Sequence, residues 1–258
     1  MSHTLMPHPH RRPPDGPVVC VVLDGVGLGA GDVGDAVAQA RTPVLDRLRT
    51  LPSFTSLLAH GTAVGMPSDA DMGNSEVGHN ALGAGRIIDQ GAKLVNVAIA
   101  NGSIFGQAWQ GCVHAVKASG EPLHFIGLLS NGNVHSHIDH LIAMLERAAL
   151  EGVQKVRVHP LLDGRDVPAR SALQFVDQLE TALAGLSTGG RDYRVASGGG
   201  RMVVTMDRYE ADWSIVERGW NAHVRGEARR FASLREAVLT LYQETGLDDQ
   251  NLPAFVIE

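Results

Sequence analysis

The residues that could do chemistry fall in a few places along the chain. Ser75 sits in the stretch 71–86, DMGNSEVGHNALGAGR, held between Gly73-Asn74 and Glu76-Val77-Gly78-His79. Asp24-Gly25 follows the apolar run PVVCVVL. Ser130-Asn131-Gly132-Asn133-Val134-His135 follows LHFIGLL, and Asp163-Gly164-Arg165-Asp166 follows VRVHPLL. Arg201 ends SGGGR, and Arg208 comes shortly after it. Guanidinium forks match phosphate and carboxylate oxygens bidentately, so His135, Arg165, Asp166, Arg201 and Arg208 suit gripping an anionic small molecule. A carboxylate at a strand end, Asp24, suits a divalent cation, which wants oxygen ligands. A serine at a helix start lies among free N–H groups that favour an anion. If a cation bound by Asp24 also reaches Ser75, the hydroxyl is acidified and becomes a nucleophile. Its small neighbours leave room for a phosphoryl group.

Each of these residues also has a plainer reading. Asp24 can open a turn with Gly25, Ser75 can be an ordinary N-cap, and His135 can cap the helix that starts near Ser136. Arg165 and Asp166 can form a surface ion pair worth ~0–1 kcal/mol. Their joint position favours the chemical reading, because ligands of open parallel sheets bind beyond the carboxyl ends of the strands. The segment GVGLGA, 25–30, fits the dinucleotide fingerprint, with Asp46 about 20 residues on. It is discounted because the loop runs on as GAGDVGD with no helix start to face a pyrophosphate. Asp24 would also place a carboxylate beside the phosphates.

The elements that must position these residues alternate. Residues 17–23 form a continuous β-branched run of the kind buried on both faces of a sheet, with Cys20 as a small core residue. Thr42 and Pro43 mark a helix start. LHFIGLL and KVRVHPLL predict strands. HIDHLIAMLERAALEG carries apolar residues Ile138, Leu141, Ile142, Leu145 and Ala149 at helical spacing and closes at Gly152. SALQFVDQLETALAGL predicts a second amphipathic helix and ADWSIVERGWNAHV a third. RVASGGGRMVVTM holds two short strand candidates, and LPAFVIE ends the chain as another. Strands alternating with helices predict an α/β fold with mostly parallel sheets flanked by helices. Residues 90–121 suit a crossover between two α/β units.

The composition narrows the class. The chain has 258 residues, 44% hydrophobic and 19% charged, with a net charge of −6. That is enough for one large or two modest cores. Nothing suggests the basic face of a nucleic-acid binder. The two cysteines form no zinc spacing and no disulfide framework. Residues 1–16, rich in Pro, His and Arg, predict a disordered leader without a signal-peptide apolar core. No apolar run approaches a membrane span of ~20 residues. The expectation is a cytoplasmic protein with no nucleic-acid or membrane partner.

DGVG after the first strand, DADMGNSEVGHNALGAGRI, HFIGLLSNGNVHSHIDHL, LDGRDVPARSA and MDRYEADWSIVERGW closely resemble the 2,3-bisphosphoglycerate-independent phosphoglycerate mutases of the alkaline phosphatase superfamily. The match runs from about residue 17 to about residue 223. The resemblance implies two domains: a phosphatase domain with the metals and the serine, of which 17–89 would be the N-terminal part, and an inserted α/β transferase domain, 90–258, that holds substrate. It implies an isomerase of glycolysis, monomeric, interconverting 3-phosphoglycerate and 2-phosphoglycerate through a phosphoserine, with two divalent ions, most often manganese. Asp24 and Ser75 then correspond to ligands of one metal, and Ser75 to the phosphorylated nucleophile. His135, Arg165, Asp166, Arg201 and Arg208 correspond to substrate contacts, with Asp166 as the base at a glycerate hydroxyl. The later arginine motif, a lysine near the phosphate and the Asp/His ligands that complete both metal sites have no matching segment here. The chain therefore resembles the N-terminal portion of such an enzyme. By itself it is expected to be inactive and to hold no metal firmly. The alternative is a non-catalytic α/β module that binds phosphoglycerate.

Overall fold

A computed structural model describes residues 9–23, 25–205 and 212–258. Asp24 and Arg208 lie outside the described residues. The chain divides into two compact units, 1–58 and 59–258.

The first unit carries two short helices, α1 (Ala36–Gln39) and α2 (Pro43–Arg49). Thr42 and Pro43 start α2 as expected, and the Thr42 hydroxyl donates to Asp46 Oδ1 at 3.0 Å. Residues 17–23 correct the sequence expectation. They form no strand, and Val18, Val19 and Val21 are 76, 79 and 73% exposed. Cys20 is exposed as well. β-branched residues favour extended backbone, but a strand exists only through its ladder, and within this unit the described residues supply no partner.

The second unit opens on a 3-10 turn (Gly61–Val64), followed by the serine helix α3 (Ser75–Ala84), α4 (Gly91–Ala100) and α5 (Gln107–Ser119). Then come β1 (Leu123–Leu129), α6 (Ile138–Leu150), β2 (Lys155–Leu162), α7 (Ala172–Leu186), β3 (Asp192–Val195) and β4 (Ser197–Gly200). Arg201 opens the single turn α8 (Arg201–Val204), followed by α9 (Trp213–Trp220) and a π-helical turn over 221–225. β5 (Arg229–Phe231), α10 (Leu234–Thr245) and β6 (Phe255–Ile257) complete the unit. The strand order is β1-β2-β4-β6-β5, with β3 also on β2. All pairings are parallel except β4 with β6. This is the mostly parallel α/β fold that the alternation predicts.

β2 is buried at nearly every position, as a central strand covered on both faces must be. Its core neighbours include Leu145 and Ala148 of α6, Phe175 and Leu179 of α7, and Val238 of α10. α7 is capped from a distance. Ser171 precedes it but makes no side-chain cap bond. Instead Asp249 Oδ2 accepts from the N–H groups of Ser171 and Ala172, each at 2.9 Å. No described helix is long and apolar enough to cross a membrane.

Candidate active site

The register of the sheet builds the site. Leu129 pairs with Leu162, and Leu162 with Gly200, so three parallel strands end side by side. The next residue on each strand is polar: Ser130, Asp163 and Arg201. Their side chains meet. Ser130 Oγ donates to Asp163 Oδ2 at 2.5 Å, and Arg201 Nη1 donates to Asp163 Oδ1 at 2.7 Å. Arg201 Nη1 also donates to Asp166 Oδ2 at 2.7 Å. Backbone N–H groups of Arg165 and Asp166 close onto Asp163 Oδ1 at 3.2 and 3.1 Å. Asp163 is thus the hub of the cluster. Burial pushes its carboxyl up, but the bonds from Ser130, the Asp166 backbone and Arg201 outweigh that and hold it below the usual range.

Arg201 is 3% exposed, and its Nε has no partner among the described residues. A guanidinium so deeply buried is tolerated because two carboxylates face it. Gly200 lets the backbone at Gln250 close on this strand end, since a Cβ there would lie 2.3 Å from the Gln250 carbonyl oxygen. One cation against two carboxylates leaves the cluster with an excess negative charge. An anionic ligand therefore needs a further cation, and the exposed Arg165 stands beside the cluster to supply one.

Asp166 lies under the loop that follows β1. A Cβ on Gly132 would come within 2.8 Å of Asp166 Cβ, so the two loops touch where only glycine fits. His135 is exposed on that loop. It lines a mostly apolar cavity of about 290 Å³ with Phe125, Ile126, His137 and His140. Among the described residues no hydrogen bond or ion pair joins the His135 side chain to Arg165, Asp166 or Arg201. The two strand-end loops come together at Gly132 and Asp166, and His135 also lines the cavity.

Ser75 is exposed at the first position of α3. It is not the N-cap. Asn74 is, accepting from the Val77 N–H at 3.0 Å. The serine hydroxyl is thereby left free of the capping role at a helix start that favours anions. The helix is seated by Val77, packed with Val64 and Met66, and by a loop in which a Cβ on Gly73 would strike the Ala59 carbonyl oxygen.

Sequence reasoning placed Ser130, Asn133 and Asp163 in polar strand-end clusters and Asp71 in the serine stretch but gave none of them a role of its own. Asp163 had a signal: it is the one charge placed directly at the end of the apolar run VHPLL. A further cluster also lacked a recognised motif. His124 Nδ1 lies 2.9 Å from His159 Nε2, His159 Nδ1 lies 2.7 Å from Ser197 Oγ, and Ser197 Oγ lies 2.8 Å from His223 Nδ1.

A family model described as the BPG-independent PGAM N-terminus matches residues 95–258. The chain belongs to this family. A probable 2,3-bisphosphoglycerate-independent phosphoglycerate mutase of Leptospira interrogans is 55% identical over 244 residues, covering 93% of this chain and 44% of that protein. The corresponding mutase of Trypanosoma brucei brucei is 55% identical over 251 residues, 96% of this chain and 46% of its own length. A crystal structure of Leishmania mexicana phosphoglycerate mutase at low cobalt concentration superposes with a TM-score of 0.84 at 52% identity. It covers 92% of this chain and 44% of that one. The chain thus spans less than half the length of these phosphoglycerate mutases.

Proposed function

We propose that this chain is the part of a glycolytic phosphoglycerate mutase that grips phosphoglycerate and presents the acceptor serine. The observation that carries this reading is the Ser130–Asp163–Arg201–Asp166 cluster at three aligned strand ends, with the Nε of a buried arginine left over. Such an Nε–H is a fixed donor for a carboxylate or phosphate oxygen. Arg165 supplies the mobile charge. Asp166, pinned by Arg201, keeps one face toward a glycerate hydroxyl and is placed to take its proton. Ser75 offers its hydroxyl as phosphoryl acceptor from the start of α3, where the helix N–H groups favour the transferred group. Asp24 and Arg208 keep the roles of metal ligand and substrate contact as proposals.

Two divalent ions, manganese first, belong to the same reading. Among the described residues no group of three or more His, Cys, Asp or Glu side chains converges to hold an ion. The described residues do not complete a metal site. The enzyme reading and that of a non-catalytic phosphoglycerate-binding module therefore share this substrate cluster.

Calorimetric titration of the chain with 3-phosphoglycerate tests the cluster. Arg165→Ala should weaken binding by roughly 1.5–3 kcal/mol, the size of a charged hydrogen bond. Unchanged affinity would overturn direct contact. In a full-length mutase, Ser75→Ala at the matching position should abolish turnover and spare binding. Retained turnover would sink the acceptor role.

A further inference from the structure

We infer that Asp71 and Asn133 are a positioning pair that holds the serine helix in register with the substrate loop. The inference rests on the proposed mutase reading and adds residues to it. Asn133 Nδ2 donates to Asp71 Oδ1 at 2.7 Å, across 62 residues of chain. Asp71 lies four residues before Ser75, and Asn133 two residues before His135. The bond thus ties together two stretches that carry candidate chemistry.

Both partners are held in place around this contact. Both Asp71 carboxylate oxygens are engaged: Oδ1 takes Asn133, while Oδ2 accepts from the Ser68 backbone N–H at 2.7 Å and the Ser68 hydroxyl at 2.8 Å. Its own carbonyl accepts from the Gly61 N–H at 3.1 Å, which fixes the segment leading to α3. Burial pushes the Asp71 carboxyl up, but the bonds from Asn133 and Ser68 outweigh it and keep the group ionised below the usual range. Asn133 is 7% exposed and is the one described non-glycine residue with positive φ, at 60°. Asparagine tolerates that left-handed backbone better than most side chains. Its N–H donates to the Ser136 carbonyl at 3.2 Å, and the Ile138 N–H returns to the Ser130 carbonyl at 2.8 Å. One residue earlier, Gly132 rests on Asp166. The path from Ser75 to the base therefore runs through Asp71, Asn133 and Gly132 to Asp166.

The pair touches no reacting atom, so its loss should misplace the acceptor without loosening substrate. Turnover is read in a full-length phosphoglycerate mutase carrying the same Asp–Asn pair. Asn133→Asp sets two carboxylates against each other, and Asn133→Gly keeps the left-handed turn without the side chain. Each should lower kcat at least tenfold with KM within twofold. The swap Asp71→Asn with Asn133→Asp restores a donor facing an acceptor and should recover most of the loss. A kcat unchanged in both single variants would overturn the pair's role, as would a swap no better than Asn133→Asp alone. A KM rise with kcat intact would overturn it too, by making Asn133 a substrate contact. The underlying reading fails differently: the unmodified 258-residue chain would then show no binding of 3-phosphoglycerate at all.

Discussion

At the scale of single residues, the histidine chain makes the clearest demand. His159 is 5% exposed, and burial, reinforced by His223 and His124, drives its pKa down to about 4. Burial lowers His124 and His223 too, with Arg157 also bearing on His124. Arg157 is itself paired to Asp192 at 2.6 Å. No carboxylate among the described residues hydrogen-bonds the chain. The unfolded His159 takes a proton near pH 6.5 and the folded one only near 4, so stability falls as pH drops through that window. Above about 6.5 the group contributes no pH dependence. Linkage puts the loss from His159 at about 2 kcal/mol at pH 5 relative to pH 7.5. Urea unfolding across that range should show it, and His159→Gln should flatten the slope. A parallel slope in the variant would refute the assignment. None of this was legible in the sequence, because 35 residues separate His124 from His159 and only the sheet register brings them together. The arginine and aspartate loops were legible, since each follows its strand without a gap.

At the scale of elements, apolar periodicity located β1, α6, β2 and α7, because each presents a core face of its own. α10 went unread although Ser233 and Glu236 form a start signal; the serine accepts from the Glu236 N–H at 3.1 Å. The cap of α7 was beyond any local rule. Ser171 looks like the cap, yet its hydroxyl is buried with no partner among the described residues, while Asp249 binds both N–H groups. Ser171→Ala should therefore change stability by less than about 0.5 kcal/mol. Asp249→Ala should cost about 1–3 kcal/mol, because it strands two N–H groups and the Tyr242 hydroxyl that donates to Asp249. Equal effects in chemical denaturation would mean that the serine does the capping.

At the scale of the whole molecule, the buried core from Val113 to Phe255 lies within the second unit. A chain beginning at residue 59 should keep the urea midpoint of the 258-residue chain, and a fall of more than a few tenths of a molar would show that the first unit contributes to that core. The first unit is where the sequence misled. Local propensity can specify extended backbone for 17–23, but burial has to be supplied by residues far away. The exposed run PVVCVVL has another consequence. It is uncharged, rich in β-branched residues and exposed outside any described strand, the chemistry that lets identical segments stack into dry, interdigitated zippers. In a concentrated solution of this chain, residues 17–23 are the natural seed for cross-β assembly, with the proline at the first position and Asp24 just past the last as built-in gatekeepers.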